Sequence, residues 1–363
     1  VSDDRRYIVT ADGQPFFWLG GTAWELIHRL TKEEIDLYLQ DRARKGFTVI
    51  QTVILAELDG LNTPNAYGHK PLINNDPARI NEKYFELVDY VIKKAGTLGM
   101  YIGLLPTWGD KFNLKWGKGP VIFTPENAEV YGGILAKRYV KNNNIIWILG
   151  GDRMPETEEQ YAIIRSMVKG IKKLDTRHLV TYHPLGGKKA TDAFHEDWLD
   201  FDMFQSGHDR SQKEYNFVLE SKKTSPARPV IEAEARYENS LDRFWEPGEH
   251  EWMDDSDVRL TAYWTMLAGA AGYTYGCHDI WQMYTTGREP VASARTDWKE
   301  ALHLPGSQQM LYLKKLLLAF PWQKLVYDPT LILNKNLQDE QYIVSAMGKD
   351  RDFIIAYTPW GRP

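Results

Sequence analysis

Ile145–Arg153 reads IIWILGGDR: five large apolar residues run unbroken into two glycines, a carboxylate and a guanidinium. An apolar run of this length, bounded by turn residues, predicts a parallel strand buried on both faces. The glycines clear side chains from the point where the strand leaves its sheet, so a ligand can lie against the backbone. With alternation of period two, Ile146, Ile148, Gly150 and Asp152 share one face, which puts Asp152 at the strand mouth. The competing reading is local: Asp is a favoured helix N-cap, and Pro155–Tyr161 looks like a helix start.

Outward from this stretch the chain repeats one pattern. Phe16–Gly20, Phe47–Leu55 and Met100–Leu105 read as strands before it, and Leu179–His183, Asp202–His208, Pro229–Glu234 and Gly272–Gly276 as strands after it. Helical spacing fills the gaps. Leu30–Gly46 has Thr31 as N-cap and Glu34 completing a capping box. Glu82–Leu98 follows, then a helix opened by Thr124-Pro125-Glu126. Thr157–Lys173, Gln212–Lys222, Asp257–Ala271 and Trp298–Phe320 continue the series. Eight strands alternating with helices predict an α/β fold, a (β/α)8 (TIM) barrel, over residues 1–322. Beyond it, Thr330–Leu333, Gln341–Met347 and Asp352–Thr358 read as strands between Asn, Gly and Asp turns. Residues 323–363 are therefore expected to form a small, partial C-terminal all-β domain.

The totals narrow the partners. A net charge of −5 over 363 residues argues against nucleic acid or an anionic membrane. No apolar run approaches the roughly 18 residues that span a bilayer. With one cysteine, Cys277, no intramolecular disulfide can form, and Cys277 reads as a small buried residue. Thirteen tryptophans and twenty tyrosines exceed what a core needs, and stacking on the apolar faces of sugars is one use for the surplus.

In such barrels the chemistry sits at the carboxyl ends of the strands. The polar residues there are Trp24 and Glu25 after the first strand, Gln51 and Glu57 on and after the second, and Trp108 and Asp110 after the third. Asp152 and Arg153 follow the fourth, His183 ends the fifth, and Gln205 and His208 end the sixth. The seventh supplies Glu232, Glu234, Arg236 and Tyr237, and the eighth His278, Asp279, Trp281 and Gln282. Two carboxylates across a barrel mouth are what glycoside hydrolysis requires. The fourth and seventh strands lie on opposite sides of an eight-stranded ring, so Asp152 and Glu234 can face each other across a sugar.

On the seventh strand Val230, Glu232 and Glu234 are expected to point inward, with Ile231 and Ala233 toward the helices. Glu234 is then the nucleophile and Glu232 a partner behind it or a contact to the sugar, with the reverse assignment of the two as the alternative. Arg236 or Tyr237 would keep Glu234 ionised, whereas Asp152 must hold a proton at rest, by burial or by the charge of Glu234. The remaining rim residues are candidate substrate contacts. His183, His208 and His278 match no zinc spacing, so neither metal nor other cofactor is expected. Arg153 more often positions its neighbour than touches substrate.

Seven segments resemble one known family: FFWLGGTAWELIHRL, KGFTVIQTVILAELDGLNTPNAYGH, YIGLLPTWGDK, NIIWILGGDR, DMFQSGH, PVIEAEARYE and YGCHDIWQMY. Together, from Tyr7 to Leu333, they resemble the apiosidase-type glycosidases of glycoside hydrolase family 140. The resemblance implies a retaining, exo-acting bacterial enzyme with Asp152 as acid/base and Glu234 as nucleophile. It also implies a β-apiosyl linkage in pectic oligosaccharides as substrate, and export, with the signal peptide absent from this chain; a cytoplasmic location is the alternative, which the single cysteine weakly favours. The family usually has Gly before the nucleophile and Asp or Asn two places earlier, where this chain has Ala233 and Glu232. The alternatives are a retaining β-glycosidase of the same clan with another sugar specificity, a non-catalytic carbohydrate-binding barrel, and a metal-dependent hydrolase using the rim histidines.

Overall fold

A computed structural model describes residues 1–361. The predicted eight parallel strands form, at Trp18–Thr22, Val49–Leu55, Tyr101–Thr107, Ile145–Gly150, Val180–His183, Asp202–Gln205, Val230–Glu232 and Gly272–Cys277. Pairing runs unbroken from the fifth strand through the fourth, third, second, first, eighth and seventh to the sixth. The joint between fifth and sixth closes differently. There the Asp200 N–H donates to the Val180 carbonyl at 2.9 Å, and the Thr181 hydroxyl to the Phe201 carbonyl at 2.7 Å.

Period-two alternation sorts these strands into two shells. Val49, Val53, Ile146, Ile148, Met203, Ile231 and Ala233 fill the barrel interior. Ile50, Ile54, Trp147, Leu149 and Tyr182 pack outward beneath the helices. The fourth strand obeys the predicted faces up to Gly150, but the seventh inverts them, with Ile231 and Ala233 inside and Val230 in the outer shell. Its ladder stops at Glu232, so the face of Glu234 is set by the turn beyond the strand rather than by alternation.

Helices start where their caps predict. Thr31 accepts the Glu34 N–H and Glu34 answers at the Thr31 N–H, opening Lys32–Arg44. Thr124 caps Pro125–Tyr139, with proline in the first turn. The helix expected over Trp298–Phe320 is divided into Trp298–Ala301 and Pro305–Leu318, because Pro305 cannot donate to the turn before it.

The segment after the barrel forms a three-stranded antiparallel sheet, Leu325–Tyr327, Val344–Gly348 and Ile354–Tyr357. Thr330–Leu333 is not a strand: Pro329–Leu331 forms a single 3-10 turn. Leu325–Tyr327 takes the place beside Val344–Gly348 instead. The sheet docks on the barrel through the Trp264 indole N–H, which donates to the Tyr342 carbonyl at 3.0 Å. Arg236 adds an ion pair to Glu340 at 2.6 Å. Among the described residues no helix is long and apolar enough to cross a membrane.

Candidate active site

A cavity of about 680 Å³ opens at the carboxyl ends of the strands, within the size range of small-molecule sites. Asp152 and Glu234 both line it, together with Trp24, Trp108, Tyr237, Gln205 and His208.

Asp152 does not end a strand face as predicted. Gly150, Gly151 and Asp152 all take positive φ, at 90°, 99° and 54°, so the chain turns sharply out of the sheet. The two glycines are required twice over, by that conformation and by crowding. A Cβ on Gly151 would sit 2.9 Å from the Trp108 ring, and one on Gly150 2.5 Å from the His183 carbonyl. Backbone bonds hold the turn from both sides: Gly109 N–H to the Gly151 carbonyl at 3.1 Å, and Gly151 N–H to the His183 carbonyl at 3.2 Å. A non-glycine residue in this region stores strain, a mark of functional positions. Arg153 fixes the carboxylate-bearing residue from below. It donates to the Asp152 carbonyl at 2.7 Å, to the Asn113 carbonyl at 3.1 Å and to the Trp116 carbonyl at 2.5 Å. With its amide nitrogen turned toward Asp152, Gln205 donates to Oδ1 at 3.2 Å and to the Pro184 carbonyl at 2.7 Å.

Glu234 lies in a different environment. The Tyr237 hydroxyl donates to its Oε1 at 2.7 Å. His183 Nε2 stands 3.2 Å from Oε2, and His208 Nε2 3.3 Å from Oε1. Burial pushes the Glu234 pKa up, but contacts and charge from the two imidazoles outweigh it and hold the acid well below its usual range. For Asp152 burial comes first and the charge of Glu234 second, and together they raise it to about 6 despite Arg153. One carboxyl is thus kept ionised and the other protonated by their surroundings.

The sign of the pH dependence follows. If the reaction needs Glu234 charged and Asp152 protonated, activity is lost as Asp152 releases its proton, so kcat/KM is expected to fall tenfold per pH unit above about 6. No acid limb is expected within the ordinary carboxylate range, because Glu234 titrates below it. An assay of kcat/KM from pH 4 to 9 checks this, and a flat profile through pH 8 contradicts it.

Several rim residues do not reach the cavity wall, and each has a structural duty instead. Glu25 is fully buried, 2.6 Å from His28 Nδ1 and accepting the Leu58 N–H at 3.0 Å. Burial opposes its charge, yet His28, Arg29 and Leu58 hold it below the usual range. Gln51 reaches across the barrel interior to the Ala233 carbonyl at 2.9 Å. Asp110 pairs with Lys111 at 2.7 Å and accepts the Gly119 N–H at 2.8 Å. Glu232 lies behind the wall, accepting the Ser206 and Glu234 N–H groups at 3.2 and 3.1 Å, and burial, then nearby Glu214, push it well up.

Arg236 turns away from Glu234 toward Asp257 at 3.1 Å and Glu340, so Tyr237 and the histidines do what was expected of it. His278 donates from Nε2 to the Val291 and Ala292 carbonyls at 3.0 and 2.9 Å, and burial drives it down to about 4. Its Nδ1 receives the Trp281 indole at 3.4 Å, which steadies Trp281 in the wall. Asp279 accepts the Arg295 and Thr296 N–H groups at 2.8 and 2.9 Å, and Gln282 accepts the Val291 N–H at 2.9 Å. The structure therefore spends these three residues on holding loops.

The wall also includes residues that strand ends do not flag: Trp116, Phe244, Trp245, Leu185–Gly187 and Asp209. Trp116 and Trp245 are 42% and 55% exposed. Trp116 stacks on the Arg153 guanidinium at 3.6 Å. Their signal in the sequence is a tryptophan inside a loop too polar to bury it, as in Lys115-Trp116-Gly117-Lys118. Among the described residues no group of three or more His, Cys, Asp or Glu side chains gathers into a metal-holding arrangement.

Solved structures share this architecture. One, described as a glycoside hydrolase family 5 protein from Bacteroides vulgatus ATCC 8482, aligns at 33% identity, covering 100% of this chain and 80% of that one, with a TM-score of 0.90. Another, described as a glycoside hydrolase, aligns at 34% identity over 99% and 82% of the two chains, with a TM-score of 0.89. An endo-1,4-β-D-mannanase from Thermotoga petrophila RKU-1, at 17% identity over 82% of this chain and all of that one, shares the fold with a TM-score of 0.54. The protein is a glycoside hydrolase, an enzyme acting on carbohydrates. A family model described as "Apiosidase-like, catalytic domain" matches residues 2–324, and the chain belongs to that family. No curated protein matches it.

One correction follows. The resemblance to glycoside hydrolase family 140 does not stand, since the structure aligned over the whole chain is described as family 5. The apiosyl linkage rested on that resemblance, and the two structures aligned over nearly the whole chain are described only as glycoside hydrolases. "Apiosidase-like" names a sequence family, and related barrels with one scaffold differ in the sugar they take.

Proposed function

We propose that the protein is a retaining, exo-acting β-glycosidase of plant cell-wall oligosaccharides, with Asp152 as acid/base and Glu234 as nucleophile. The supporting observation is a single cavity in which one carboxyl is raised and the other lowered. Asp152 protonates the departing glycosidic oxygen while Glu234 attacks the anomeric carbon, forming a glycosyl ester. Asp152, now ionised, takes a proton from water, which cleaves the ester and restores both acids. Trp24, Trp108 and Trp281 supply apolar faces around the sugar. The Tyr237 hydroxyl and His208 hold Glu234 Oε1, while Oε2 has only the His183 Nε2 at 3.2 Å beside it.

The test is stereochemical. Proton NMR of the first product from an oligosaccharide panel is expected to show the anomer of the substrate, released from a chain terminus. The opposite anomer as first product would remove the nucleophile role from Glu234.

A further inference from the structure

The proposed hydrolase roles leave one carboxyl in the cavity unused. Glu57 follows the second strand and lines the same wall as Asp152 and Glu234. Both neighbours in sequence are moored by buried ions. Lys111 Nζ donates to the Ala56 carbonyl at 2.9 Å, and the Leu58 N–H donates to Glu25 Oε1 at 3.0 Å. The backbone at Glu57 is therefore rigid, yet its own carboxyl makes no hydrogen bond to any described residue. Half-buried on a fixed backbone, the carboxyl is presented to the cavity with no protein partner to draw it away.

The rest of the wall bears on what arrives. Its ionisable members are Glu57, Asp152, Asp209, His208, Glu234 and Tyr237, with no Lys or Arg among them. Two guanidiniums lie beside the wall and both are engaged: Arg153 with three backbone carbonyls, the Trp116 face and, at 3.5 Å, the Asp152 carboxylate, and Arg243 with Asp242, Glu246 and, at 4.0 Å, Asp209. Both imidazoles near the centre, His183 and His208, are turned to Glu234. Resting on the hydrolase reading above, we propose that Glu57 is a substrate contact, and that this wall admits only uncharged sugars at the bond being cut and excludes uronates.

The physical reason is that, away from the imidazoles that hold Glu234, the wall around Glu57 and Asp152 is unfavourable for negative charge. Burial, then the charges of Asp152 and Asp110, push Glu57 up to about 8 against the pull of Arg153. Asp152 is raised as well. A uronate carboxylate brought into the same volume adds a further negative charge beside Glu57, Asp152 and Glu234, while the imidazoles and Arg153 that could offset it are already turned to Glu234 and Asp152. A sugar hydroxyl, by contrast, can accept from a protonated Glu57 or donate to an ionised one.

The experiment uses matched 4-nitrophenyl glycosides and wall oligosaccharides with the wild-type enzyme, Glu57→Gln, Glu57→Ala and Glu57→Lys. Among the glycosides, β-glucoside, β-galactoside, β-mannoside and β-xyloside are set against β-glucuronide and β-galacturonide. The expected result is a wild-type kcat/KM at least 100-fold lower for either uronide than for the best neutral glycoside. Glu57→Ala is expected to lower kcat/KM for that neutral substrate at least tenfold, Glu57→Gln to restore most of it, and Glu57→Lys to narrow the neutral-to-uronide ratio at least tenfold. A uronide within tenfold of the best neutral substrate, or Glu57→Ala within twofold of wild type, overturns the proposal. If Glu57→Ala does not fold, the wild-type ratio and Glu57→Gln decide. Failure of the hydrolase roles is read separately: it shows as full activity in Asp152→Asn or Glu234→Gln, whatever Glu57 does.

Discussion

Glu234→Gln is expected to cost about 10⁴- to 10⁶-fold in kcat, the scale seen when a covalent nucleophile is removed, which is about 5–8 kcal/mol of barrier. The amide keeps the shape of the acid and can still receive the Tyr237 hydroxyl, now seen at 2.7 Å, so folding should be preserved and the melting temperature should move little. What disappears is the charge that attacks carbon. Glu234→Ala opens room beside Tyr237 and His208, and added azide should then restore part of the rate by attacking directly, yielding a glycosyl azide of inverted configuration. A Glu234→Gln variant retaining a tenth of wild-type turnover would end the assignment.

Asp152→Asn is expected to behave differently because its task depends on the leaving group. For a sugar leaving group the loss should be about 10²- to 10⁴-fold, the usual worth of a general acid. For a 2,4-dinitrophenyl glycoside, whose leaving group needs no proton, the first step should be nearly unaffected. The second step still lacks its base, so a burst should appear followed by slow turnover. The fall of kcat/KM above about pH 6, attributed to the raised Asp152, should vanish in this variant. Equal losses on both substrates would mean that Asp152 acts by position or charge instead of by proton transfer.

The strands were legible because a parallel strand buried on both faces favours an apolar run such as IIWIL or a β-branched one such as FTVIQTVIL. Helix starts were legible because a cap is a local bond between Thr31 and Glu34 or between Thr124 and Asn127. Asp152 and Glu234 could be placed at the cavity by their position just past two separated strands, although the reasoning about faces did not survive the turn at Gly150–Asp152 or the short seventh strand. What sequence could not separate was rim residues that face the cavity from those that hold loops. Glu25, Asp110, Asp279 and Gln282 have the same chemistry and the same offset from a strand end as true wall residues. Their partners, the N–H groups of Leu58, Gly119, Arg295 and Val291, become visible only in three dimensions. The outer tryptophans were missed for the opposite reason, lying far along loops that no strand end marks.

Gln51 grips the carbonyl of Ala233 from the far side of the cylinder, and Ala233 is the residue before Glu234. The segment carrying Glu234 is thereby bolted to the framework below, while Trp116 and Trp245 hang from loops above. Substitutions in those overhanging loops can therefore reshape the outer wall without dislodging Glu234.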